Sequence, residues 1–210
     1  MKKNILFSMI LLAGVTLSAG NLRAQAVEKG NFMLDAYYGF PNLTTGILRA
    51  IAVGATDDPN LKVTGLGPFG AKASYMVTDN IGLGLDFYYA SSGFEYNNSG
   101  NDSTGTPFSY NYSLKNPRPR LLARFDYHFG VSEIVDLYGS AGLGFSGSRY
   151  ILVTDDPIFD LTNYALRAVR VPLAFRMAFG AKFYFVKNFG ATAEIGVGGP
   201  LLTVGLSGKF

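Results

Sequence analysis

One short stretch holds most of the residue types that could perform chemistry. Between Arg120 and Phe129 the even positions are Arg120, Leu122, Arg124, Asp126 and His128, and His128 is the only histidine of the chain. An imidazole beside carboxylates has the makings of a general base, because it titrates near neutral pH. The competing reading is a structural histidine paired with Asp136. We prefer it, since His128 lies close to a short turn and no serine stands beside it as a nucleophile. Two acidic pairs invite a metal. Thr56-Asp57-Asp58-Pro59 recurs as Thr154-Asp155-Asp156-Pro157, and such oxygens can hold Ca²⁺. Aspartate before proline more often starts a turn or caps a short helix, and that is the expectation for both. The sequence carries no phosphate-binding glycine loop, no metal-spaced His/Cys cluster and no serine-nucleophile elbow. The expectation is therefore no catalytic, cofactor-binding or metal-binding residue, no cofactor, and no enzymatic activity.

The elements that position these groups follow from the residues between them. Leu121, Ala123, Phe125, Tyr127 and Phe129 are apolar. A period of two makes a β-strand with two differently solvated faces. The pattern recurs and predicts eight strands: Asn31–Phe40, Gly67–Val77, Ile81–Ser91, Arg118–Phe129, Val135–Arg149, Val171–Phe185, Phe189–Gly198 and Leu201–Phe210. In the third, Ile81, Leu83, Leu85, Phe87 and Tyr89 oppose Gly82, Gly84, Asp86 and Tyr88. A soluble barrel would turn the apolar face inward and leave the other wet. That other face is rich in glycine and poor in lysine, which suits the crowded inside of a narrow barrel. The apolar face ends in an aromatic cluster beside the short turns, formed by Tyr75, Tyr127, Phe129, Phe183, Phe185, Phe189 and Phe210. Such girdles mark a membrane interface. The predicted fold class is all-β: an eight-stranded antiparallel up-and-down transmembrane β-barrel.

The N-terminus agrees with export. Lys2 and Lys3 precede an apolar run from Ile5 to Val15, and Ala24-Gln25-Ala26 fits a signal-peptidase site. The run is too short for a membrane-spanning helix, which needs roughly 20 residues. Residues 1–26 are expected to be a cleaved signal peptide and residues 27–210 the barrel domain. The formal charge of +3 comes from Lys2, Lys3 and Arg23, so the expected mature chain has 15 basic and 15 acidic residues. Nucleic-acid binding gains no support from that balance. Without cysteine, neither a disulfide nor a lipid anchor on cysteine is available.

Connection lengths set the direction of the barrel. Thr78-Asp79-Asn80, Gly130–Ile134 and Val186-Lys187-Asn188 are brief, whereas residues 41–66, 92–117 and 150–170 form long loops. Long loops belong outside and short turns in the periplasm, which puts both mature termini in the periplasm. Turn length also predicts register: Lys72 opposite Asp86, His128 opposite Asp136, Asp126 opposite Tyr138 and Glu194 opposite Gly205. Asp35, Lys72, Asp86 and Arg124 fall at similar heights with alternating signs, and Arg176, Lys182 and Glu194 lie nearby. With Arg120, Asp126, His128 and Asp136 they form the predicted structural ion-pair network. A buried charge must be paired, and eight strands leave room only for side chains, so a plugged lumen is expected.

Any recognition should lie in the loops. Phe94 and Tyr96, then Phe108, Tyr110 and Tyr112, flank a polar tip at residues 97–105. They are the candidate contact surface, against the plainer reading of tyrosines packed on each other. Ile158–Val169 has the spacing of a short helix, as do Leu43, Ile47, Ala50 and Ile51. These segments either cap the mouth or rest at the lipid interface.

The Tyr75-x-x-Thr78-Asp79-Asn80-Ile81-Gly82 turn and the ending Gly205-Leu206-Ser207-Gly208-Lys209-Phe210, with the eight strands, resemble small outer-membrane β-barrel proteins of the OmpA/OmpX type, the barrel-only porin family of Gram-negative envelopes. The resemblance implies an outer-membrane location and no peptidoglycan-binding module. It also implies that Phe210 serves as the signal read by the barrel-assembly machinery. Expected partners are outer-membrane lipid and lipopolysaccharide, that machinery, and an extracellular ligand at the loops; the barrel is expected to be a monomer. The leading functional reading is a non-enzymatic envelope barrel, structural or adhesive. The alternatives are a narrow OmpW-like conduit for small hydrophobic molecules and a lipid-modifying barrel enzyme.

Overall fold

The computed structural model describes residues 26–55, 58, 60–157 and 172–210. The elements are β1 (Phe32–Phe40), α1 (Leu43–Ala55), β2 (Leu61–Met76), β3 (Ile81–Asn101), β4 (Pro107–His128), β5 (Val135–Ser146), β6 (Ile151–Thr154), β7 (Leu173–Val186), β8 (Phe189–Val197) and β9 (Leu202–Lys209). Eight of the strands pair antiparallel in a ring, which β9 closes against β1 from Met33↔Lys209 to Phe40↔Leu202. Closure leaves no edge of the ring unpaired. The ninth strand, β6, lies outside the ring and pairs with the upper part of β4. One end of the barrel carries both described termini and the short turns; the other carries the long connections. We call them the terminal rim and the loop rim.

Alternation decides what is buried, and it does so inside out. Asp35 and Lys72 are buried, whereas Leu85 and Phe179 are 54% and 50% exposed. An exterior of this kind suits hydrocarbon, not water.

β2, β3 and β4 run further past the loop rim than the sequence reading placed them. β3 and β4 stay paired without a break from Ile81↔Tyr127 to Asn101↔Pro107, because alternation continues through Tyr96 and Tyr112 and polar pairs such as Asn97–Asn111 hold the ladder (2.9 Å). The start of β2 was hidden by a bulge between Leu66 and Phe69. Pro68 has no N–H for the ladder there, and the extra residue reverses the parity. β5 ends at Ser146 instead of Arg149, since Pro117 and Pro119 on β4 have no N–H to offer beyond it.

Two expected registers are corrected. His128 aligns with Tyr138 and Asp126 with Ser140, because β5 starts its pairing with β7 three residues before its pairing with β4. This is the stagger that barrel shear imposes. Glu194 aligns with Thr203. The β8–β9 turn is wider than two residues, with Gly196 N–H bonded to Leu201 O and Gly198 at φ +83°, a conformation open to glycine.

α1 sits over the loop rim. Asn42 caps it by accepting Thr45 N–H through Oδ1 (3.3 Å) and ties it down through Nδ2 to Leu66 O and Ser91 O, both 2.8 Å. Its threonine side lies so close to β2 that a β-carbon on Gly65 would stand 2.1 Å from Thr45 Oγ1. Leu43, Ile47 and Ile51 are exposed. The expected helix at Ile158–Val169 and residues 1–25 of the expected signal peptide lie outside the described residues.

Candidate functional site: the lumen and the loop rim

The lumen is built in layers by the inward parity of each strand. At the terminal rim Ala26 and Val27 pack with Met33, Met76 and Tyr184. Above them His128 Nδ1 meets both carboxylate oxygens of Asp136 at 2.9 and 2.8 Å, and its ring lies 5.4 Å from that of Tyr138. Both His128 and Asp136 are 1% exposed, which leaves a substrate no approach to the imidazole.

The middle layer is ionic and centres on Glu194. Its carboxylate accepts from Lys72 Nζ (2.8 Å), Arg176 Nη2 (2.9 Å), Tyr138 OH (2.9 Å) and Arg124 Nη2. Lys182 Nζ bonds Asp35 at 2.9 Å, with Lys72 at 3.7 Å from the same carboxylate. Arg124 Nε bonds Asp126 at 2.6 Å. Asp86 accepts the Tyr37 hydroxyl at 2.6 Å and lies 3.6 Å from Arg124. Lys72 does align with Asp86, but its ion partners are Glu194 and Asp35. Four cations thus face four carboxylates, which is what a dry interior demands. The space enclosed by Asp86, Leu122, Arg124, Ser140, Gly142 and Arg176 is too small to hold a water molecule.

Tyr37, Tyr88, Leu122 and Ala174 form the next layer, an apolar one. Sequence reasoning placed Tyr88 and Leu122 on the inward face but did not recognise a separate layer, because its residues carry no charge. Arg120 lies above that layer and is corrected out of the network. It donates to Tyr88 OH (2.7 Å), Gly198 O (2.7 Å) and Ser146 Oγ (3.2 Å), all neutral groups.

Beyond the rim, register puts Phe94, Tyr96, Phe108, Tyr110 and Tyr112 on the axis-facing side of the β3–β4 hairpin. Phe108 stacks on Tyr110 at 5.5 Å, and Tyr96 lies 6.4 Å from Tyr112. The second acidic pair serves this sheet. Asp155 accepts Asn111 N–H (2.6 Å) and Nδ2 (3.1 Å), and Asp156 accepts Tyr112 OH (2.5 Å). The Asn111 donors hold the Asp155 carboxyl below its ordinary range, and the Asp156 carboxylate pushes the Tyr112 hydroxyl up. Asp58 accepts Asn60 N–H (2.9 Å), a turn contact; Asp57 and Pro59 lie outside the described residues. Among the described residues no three acidic or histidine side chains converge as metal ligands.

At the terminal rim Phe210 exchanges backbone hydrogen bonds with Phe32, each 2.8 Å, and its ring is exposed. Against this geometry, the profile of the outer membrane protein beta-barrel domain family matches residues 9–199. The chain belongs to that family. As an integral outer-membrane barrel, it places its exposed Leu, Phe and Tyr rows in the lipid and its aromatic cluster at an interface. Among solved structures it is similar to the N-terminal β-barrel domain of Pseudomonas aeruginosa OprF (17% identity, 87% of this chain and 99% of that one, TM-score 0.39). It is also similar to the outer membrane protein OprG of Pseudomonas aeruginosa (12%, 88% and 97%, TM-score 0.42). A third is Ail, the attachment invasion locus protein of Yersinia pestis, solved in complex with the heparin analogue sucrose octasulfate (14%, 87% and 99%, TM-score 0.35). No curated protein matches the chain significantly.

Proposed function

We propose that this outer-membrane barrel is a closed, non-enzymatic envelope protein that binds through its outer loops. The observation that carries the reading is the filled lumen. An apolar layer at Met33, Met76 and Tyr184, the ionic layer around Glu194 and the apolar layer at Leu122 lie one above another across the bore. A solute would have to break paired buried charges to pass, at several kcal/mol each. His128 supports the non-enzymatic part, since it is enclosed with Asp136. In this reading the terminal rim is periplasmic, residues 1–26 are removed on export, Phe210 marks the chain for assembly, and the monomer presents the Tyr96–Tyr112 face outside.

The test is a planar-bilayer recording of refolded full-length barrel. The expected trace is flat apart from brief flickers; a large, steady conductance defeats the reading. Altered lipid A mass on overexpression would defeat the non-enzymatic part separately.

A further inference from the structure

The loop rim holds a second site, distinct from the ion-pair cluster. A cavity of about 250 Å³ opens among the start of α1, the upper part of β4 and the β8–β9 turn. Asn42, Thr44, Tyr88, Arg118, Arg120 and Gly199 line its polar side, and Leu43 with three prolines forms an apolar wall. None of its described lining residues is acidic, and Leu122 separates it from the carboxylates below.

Three observations give the cavity a sign. First, the Arg120 guanidinium reaches it with only neutral acceptors for its hydrogen bonds among the described residues. Second, Arg176 is 2% exposed, and its Nη1 makes no hydrogen bond among the described residues. That nitrogen and Tyr88 OH each stand 2.9 Å from where a β-carbon on Gly199 would be, so both underlie the floor. Arg176 pairs with Glu194 below and is not part of the cavity wall, so it acts on the cavity only as a cation beneath the floor. Third, α1 begins here. Thr45 N–H is used by the Asn42 cap, while the backbone N–H groups of Leu43 and Thr44 precede any intrahelical acceptor. A helix of 13 residues adds partial positive charge at that end.

We propose that the cavity binds a small organic carboxylate, its oxygens held by Arg120 and the backbone N–H groups at the start of α1 and its short carbon chain against Leu43 and the prolines. Guanidinium and carboxylate match as a fork, and an apolar wall favours a ligand with a hydrocarbon part over inorganic phosphate. The site does not depend on whether the lumen conducts.

The experiment is an NMR titration of the refolded full-length barrel in detergent micelles with butyrate, butanamide and inorganic phosphate. Butyrate is expected to give saturable shifts at Gly199 and Thr44, and butanamide, the uncharged isostere, none. Arg120→Gln should weaken butyrate about tenfold, the loss of one charge-assisted contact. Gly199→Ala, which puts a methyl on the floor, should weaken it similarly. Lys62→Gln, on the outward face, serves as a control and should leave it unchanged. Variants are compared only where their heat-modifiable gel mobility matches the parent. No saturable shift with butyrate overturns the proposal, as does equal binding of butanamide or undiminished binding by folded Arg120→Gln. Saturation by phosphate alone overturns the carboxylate assignment.

Discussion

Lys72 stands in register with Asp86 on the neighbouring strand, yet its ammonium lies 2.8 Å from Glu194 on β8. The bond crosses the bore and joins strands that share no ladder. Glu194 also holds Arg124 and Arg176, so one carboxylate bonds three of the four lumen cations.

Removing that carboxylate should therefore cost more than removing any one cation. Glu194→Ala is expected to destabilise the barrel by about 3–5 kcal/mol, the usual cost of stranding buried charge. The denaturant midpoint of refolding, read by tyrosine fluorescence, measures it. Lys72→Met, which leaves two cations on Glu194, should cost less; equal losses would count against a hub.

The seat of α1 depends on one missing methyl group. A β-carbon at Gly65 meets Thr45 Oγ1 at 2.1 Å, so Gly65→Val should lift the helix off β2. Trypsin is expected to cut after Arg49 faster, while the refolded mobility of the barrel stays unchanged. An unaltered cutting rate would show that the helix is held elsewhere.

The contact between β6 and β4 should be pH-dependent at both extremes. The carboxyl of Asp155 is depressed below 3.8 by Asn111. Its contribution is present above that ordinary value and is lost as pH falls through the depressed one. The Tyr112 hydroxyl is raised above 10.0 by Asp156. Its contribution is complete below 10 and is lost as pH rises through the raised value. Amide exchange in Ile151–Thr154, corrected for intrinsic rate, should be level between pH 5 and 9 and rise outside that window.

Excising residues 97–106 should leave the ring intact, since those pairs lie beyond the strands that close the bore. Unchanged refolding with lost surface adhesion is the expected pair of results. Failure to refold would mean that the hairpin is part of the barrel's stability.

Parity was legible from side chains alone, and height around the ring was not. Alternation assigned Asp35, Lys72, Asp86 and Glu194 to one face, and closure brings them together. Arg120 has the same parity, but one uncharged residue, Leu122, divides it from the ionic layer. Two turn lengths misled by two residues each. Shear shifts β5 against β4, and Gly198 adopts a backbone angle that lengthens its turn. The bulge at Leu66–Phe69 reversed the parity of β2 where only Pro68 hinted at it.

The unbroken β3–β4 ladder also makes the hairpin a mast. About ten residues beyond Ser91 rise on the order of 30 Å along the strand, as far as the hydrocarbon layer is thick. A partner gripping Phe108 and Tyr110 near its top would pull along both strands at once. The load would run lengthwise into the barrel wall, where neighbouring ladders share it, instead of peeling one bond at a time.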